Sequence, residues 1–145
     1  MTQPLTCARI PKLAAYVLAV GCGPVGAWLM MQTGLNLGNA ACASTGLLTL
    51  LLVAPVAEEI VFRYGLQRWL AIKFTAKVSD LSLANVNTAI IFAMLHALHQ
   101  RNALMLLTFV PSLFFGWVWE LSAARLIVPI LLHAWYNLCL VIASC

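Results

Sequence analysis

Residues 47–68 read LLTLLLVAPVAEEIVFRYGLQR. The run from Leu47 to Val53 shows no alternation of polar and apolar residues, so it is not a strand of a closed barrel. In lipid an open sheet would leave backbone polar groups unpaired, which leaves a membrane helix. The same helix then carries Glu58, Glu59 and Arg63, three charges that lipid disfavours. This stretch therefore predicts both the fold class and the place where the chemistry sits.

Outward from it, the whole chain has the same character. Of 145 residues 63% are hydrophobic and 8% charged, and eight Lys/Arg with four Asp/Glu are too few to solvate a surface of that size. This composition excludes a disordered chain, a coiled coil and a nucleic-acid-binding domain. The expected fold is all-α, a polytopic membrane helical bundle of about five transmembrane helices at roughly 20 residues each. The spans are read at residues 13–32, 43–66, 83–100, 103–121 and 125–143 of a single domain covering 1–145. No repeat or linker divides it.

The charges also predict direction. Arg9 and Lys12 precede span one, Arg68, Lys73 and Lys77 follow span two, and Arg125 lies between spans four and five. Every second connection is basic, so the positive-inside rule puts the N-terminus in the cytoplasm and the C-terminus outside. Cys42 and Cys145 then share the outer side, where they could be bridged; no C-x-x-C pair occurs among the five cysteines. Gly21, Gly23 and Gly26 read as a close helix approach, and Trp135 and Tyr136 as belt or packing residues.

Six polar residues lie inside apolar spans: Glu58, Glu59, Arg63, His96, His133 and Asn137. Each charge near mid-bilayer costs about 2.5–3.5 kcal/mol on the insertion scale, so such groups must face one another or water. Glu59 and Arg63 are four apart with the acid first, the favourable order for an intrahelical pair. Glu58 points about 100 degrees away and stays available. The competing reading is a snorkelling cluster at the inner membrane edge. His133 and Asn137 are also four apart and share a face, where they serve either as helix-to-helix glue or as paired hydrogen-bond donors. Counted at about 1.5 Å per residue, Glu58, His96 and His133 all fall within roughly 5 Å of the midplane, so three helices offer polar groups at one depth. Pro55 and Pro129 each bend a helix within a turn of these groups.

A carboxylate in a poorly solvated pocket is a usable general base near neutral pH, and a neighbouring imidazole can share its proton. A second imidazole and an amide on one face suit an oxyanion formed when water attacks a carbonyl. The set thus reads as a water-activating hydrolase. No Gly-x-Ser-x-Gly supports serine acyl transfer. Two histidines and a glutamate also match zinc in ligand type, but His-Glu-x-x-His is absent and Asn137 is a poor zinc ligand, so no cofactor is expected and zinc is the disfavoured rival.

Glu58-Glu59-Ile60-Val61-Phe62-Arg63 resembles the Glu-Glu-x-x-x-Arg motif of the CAAX protease and bacteriocin-processing (CPBP, or Abi) family of glutamic-type intramembrane endopeptidases. Phe92-Ala93-Met94-Leu95-His96 resembles its Phe-x-x-x-His motif, and His133-Ala134-Trp135-Tyr136-Asn137 its His-x-x-x-Asn motif, in the family's order. The resemblance implies a CAAX-protease-like helical core. In it Glu58 and His96 activate water, His133 and Asn137 stabilise the oxyanion, and Glu59 and Arg63 support the site. The substrate it implies is a membrane-anchored peptide or protein. The chain is little more than the motif-bearing core, which is more like small bacterial members that process C-terminal sorting tags, such as the JDVT-CTERM type, and points to a bacterial plasma membrane. Two rivals from other classes stand beside this reading: a non-enzymatic bacteriocin-immunity or scaffold protein, and a proton or ion carrier using Glu58 and the histidines as a relay.

Overall fold

A computed structural model of the chain describes residues 11–32, 44–78 and 80–144. Among these residues five helices form the bundle: α1 (Lys12–Gln32), α2 (44–73), α3 (Leu83–Gln100), α4 (Ala103–Leu121) and α5 (Ile127–Ser144). A short antiparallel hairpin of β1 (Lys77–Val78) and β2 (Leu81–Ser82) joins α2 to α3. The spans expected from sequence agree with these bounds to within a few residues, except that α2 runs past residue 66 to Lys73. Cys42 and Cys145, the suggested bridge, lie outside the described residues.

Among the described residues three helices, α1, α4 and α5, are long and apolar enough to cross a bilayer by themselves. They pack around a core of Ala19, Phe115, Val118, Leu132 and Tyr136. Their outward faces stay apolar, with Leu13, Leu131 and Ile142 exposed, as a lipid-covered surface requires. The polar residues are concentrated instead on α2 and α3, which hold their place through hydrogen bonds to the other helices.

Two prolines shape the bundle by freeing carbonyls that α5 then captures. In α2 the segment Thr49–Val53 is π-helical, so each carbonyl looks five residues ahead for its donor. The partner due to the Leu50 carbonyl would be Pro55, which has no N–H, and Asn137 Nδ2 donates to that carbonyl instead at 2.7 Å. In α1 the residue four beyond Val20 is Pro24, and Trp135 Nε1 donates to the Val20 carbonyl at 3.0 Å. Tyr136 Oη adds a bond to the neighbouring Ala19 carbonyl at 2.8 Å. Trp135 and Tyr136 are therefore anchors as well as packing residues. Pro129 does not act as expected: it lies in the first turn of α5, where a missing N–H disrupts no helical bond.

The expected close approach of three glycines also reduces to one. A Cβ on Gly23 would lie 2.9 Å from Trp135 Nε1, whereas at Gly21 and Gly26 it would meet nothing within 4 Å among the described residues. Tighter than Gly23 is Gly116 on α4, where a Cβ would sit 2.6 Å from Gln67 Oε1 and closer still to Asn85 Oδ1. Only the absence of a side chain there lets α2, α3 and α4 meet.

Candidate active site

The spacing of four on α2 brings Arg63 Nε to 2.8 Å from Glu59 Oε2, and both side chains are 0% exposed. A snorkelling cluster would have its charged ends in water, so that reading is dropped for this pair. Glu59 then uses its other oxygen on a different helix: Oε1 lies 2.9 Å from Nδ1 of His133 on α5. A carboxylate already paired with a guanidinium accepts, so His133 Nδ1 carries the proton and Nε2 is turned away from Glu59. The His133 ring is held further by stacking on Phe115, with centroids 4.8 Å apart.

On α3 His96 is oriented by its own helix. Its Nδ1 lies 3.0 Å from the Phe92 carbonyl, an acceptor only, so this nitrogen too donates and leaves Nε2 pointing outward. The Phe92 ring stacks on the imidazole at 4.1 Å, which gives the Phe-x-x-x-His spacing a physical purpose. Both free Nε2 atoms converge on the remaining acid. Glu58 Oε2 lies 3.7 Å from His96 Nε2 and 3.8 Å from His133 Nε2, is buried, and has no hydrogen-bond partner among the described residues. Separations of that size are too long for direct hydrogen bonds and suit a bridging molecule of water size.

Asn137, one turn beyond His133, reaches the same place with one amide hydrogen committed to the Leu50 carbonyl and one to spare. Glu58, His96, His133 and Asn137 all line a single cavity of about 710 Å³. Its walls are otherwise mostly apolar, with Leu50, Phe62, Leu95 and Leu140 among them, and His99, Gln100 and Asn102 supply polar groups from the end of α3 and the turn after it. All six residues singled out in the sequence thus meet in one region. Among the described residues no three His, Cys, Asp or Glu side chains are grouped as a metal site requires.

Behind the site runs a polar network that sequence reasoning missed. Arg63 Nη2 donates to Ser112 Oγ at 2.8 Å and Nη1 to Gln67 Oε1 at 3.1 Å. Gln67 Nε2 passes the connection to Glu120 Oε1 at 2.8 Å, and Glu120 also accepts from Ser82 Oγ. Ser82 caps α3 by accepting from Asn85 N, while Asn85 Nδ2 bonds the Leu113 carbonyl. The guanidinium thereby uses three nitrogens on three fixed acceptors, which holds Glu59 and through it His133. Glu120 was a visible signal, an acid inside an apolar span; Gln67, four after Arg63, was a weaker one.

A family model described as Rce1-like, type II CAAX prenyl endopeptidase, matches residues 40–139, which include Glu58, Glu59, Arg63, His96, His133, Asn137 and the network behind them. No curated protein and no solved structure matches the chain.

Proposed function

The chain belongs to the Rce1-like type II CAAX prenyl endopeptidase family, and from that premise we propose that it is a glutamic-type intramembrane endopeptidase acting on a membrane-anchored peptide or protein. Glu58 and His96 activate the water, and His133 with Asn137 binds the oxyanion. The observation that carries the reading is the buried, unpartnered Glu58 Oε2 between two imidazoles. A carboxylate that served only to join helices would be hydrogen-bonded, as Glu120 is through Oε1 to Gln67 and Ser82, whereas Glu58 Oε2 accepts from no described residue.

The reaction follows from who can donate. Water held at Glu58 Oε2 and His96 Nε2 gives a proton to this pair as its oxygen bonds the scissile carbonyl carbon. The carbonyl electron pair moves onto oxygen, where His133 Nε2–H and the second amide hydrogen of Asn137 face it. With Nδ1–H held on Glu59, donation from Nε2 takes a second ring proton. Collapse breaks the C–N bond, and the proton held by Glu58 and His96 leaves with the amine.

Turnover of a membrane-anchored reporter peptide in proteoliposomes tests this. Glu58→Gln keeps size and insertion but removes the base, so cleavage falls at least about 100-fold. Wild-type cleavage persists through strong chelation; loss on chelation and rescue by Zn would instead assign a metalloprotease. Full cleavage by Glu58→Gln would contradict proteolysis through this acid, whereas no cleavage by the wild type, with protective or binding activity kept in Glu58→Gln, would favour an immunity or scaffold role.

A further inference from the structure

The helix that closes the catalytic cavity lies outside the family-matched residues. Cys22, Gly23, Gly26, Ala27, Leu29 and Met30 of α1 line the cavity that also holds Glu58 and His96. This wall is pinned rather than loose. Trp135 and Tyr136, the two residues before Asn137, hydrogen-bond the Val20 and Ala19 carbonyls and press against Gly23. One turn further along the same face is Gly26, where an added Cβ would meet no atom of the described residues within 4 Å. Gly21 is equally unobstructed but does not line the cavity. One helix thus carries two glycines with room for a side chain, one facing the site and one away from it.

We propose that Gly26 is a specificity-determining residue: its missing side chain leaves room, against an apolar wall, for a large apolar side chain of the substrate peptide beside the scissile bond. The proposal rests on the proteolytic reading above. A pocket with a pinned wall discriminates by size, since it cannot retreat from an oversized group, and filling it by a methylene or more changes kcat/KM by about tenfold or more. Helix flexibility is the competing reason for a glycine here. It would apply equally to Gly21, and replacing either glycine by leucine favours the helix.

Three membrane-anchored reporter peptides, differing only in Ala, Leu or Phe at the position flanking the cleaved bond, provide the probe. In Gly26→Leu the Phe-to-Ala ratio of kcat/KM drops at least about tenfold below wild type, with Leu intermediate. Gly21→Leu keeps the wild-type ratio. A wild-type ratio in Gly26→Leu, or the same drop in both variants, overturns the proposal. If Gly26→Leu inserts poorly, Gly26→Ala must still lower the ratio, and an unchanged ratio there also counts against it. Unimpaired cleavage by Glu58→Gln in the same assay would locate the failure in the proteolytic reading instead.

Discussion

Glu58 and Glu59 are adjacent in sequence and opposite in circumstance. Glu59 is hydrogen-bonded by Arg63 and His133 and has no oxygen left for chemistry, whereas Glu58 Oε2 is buried without a partner among the described residues. One residue of rotation around α2 separates a fully hydrogen-bonded acid from the one proposed to act as base. Asn137 combines two tasks in one side chain, filling the vacancy that Pro55 creates at the Leu50 carbonyl and offering its second hydrogen to the cavity. Asn137→Ala is therefore expected to lower kcat about 100- to 1,000-fold, the usual effect of losing an oxyanion donor. It is also expected to cost about 1–3 kcal/mol of stability, because the Leu50 carbonyl loses its donor. Turnover and thermal unfolding in detergent measure the two; loss of activity with an unchanged melting temperature would refute the dual role.

At the level of elements, α2 is defined by its two π-helical stretches, Thr49–Val53 and Ile60–Gln67, on either side of the adjacent acids. They are held open by contacts from other helices: Asn137 on one, Ser112 and Glu120 on the other through Arg63 and Gln67. Gly116 is where α4 comes close enough for this. Gly116→Ala drives a methyl into Asn85 and Gln67 and is expected to cost about 1–3 kcal/mol, read as a lower melting temperature with the Gln67–Glu120 connection weakened. An unchanged melting temperature would mean that the crossing has slack it is not described as having. The helices themselves were legible in the sequence because apolar runs of span length have one solution in lipid. The i,i+4 pair of Glu59 and Arg63 was legible for the same reason that it forms, one helix turn. The π turns were not, since what stabilises them comes from residues about fifty to ninety positions away. Neither was the role of Trp135, whose spacing looks like packing until the Val20 carbonyl freed by Pro24 appears beside it.

Across the whole molecule, a cavity lined by Glu58, His96, His133 and Asn137 lies among helices whose outer faces are apolar. Five crossings would put the termini on opposite sides, and the positive-inside rule applied to the basic connections predicts an N-terminus inside. A reporter active only in the cytoplasm is expected to work at the N-terminus and fail at the C-terminus, with the reverse for one active only outside; the same sidedness at both ends would contradict five crossings. The agreement in depth of Glu58, His96 and His133 was readable from residue counting. Their meeting in one cavity depended on which way α3 and α5 turn, and that is set by the Phe92, Phe115 and Glu59 contacts. The measurement that tests this convergence most directly is a double-mutant cycle on cleavage by Glu58→Gln and His96→Ala. If both side chains act on one water, each single variant loses about 100-fold or more, and the double loses little beyond the worse single. Losses that multiply would show two independent contributions and contradict a shared catalytic water.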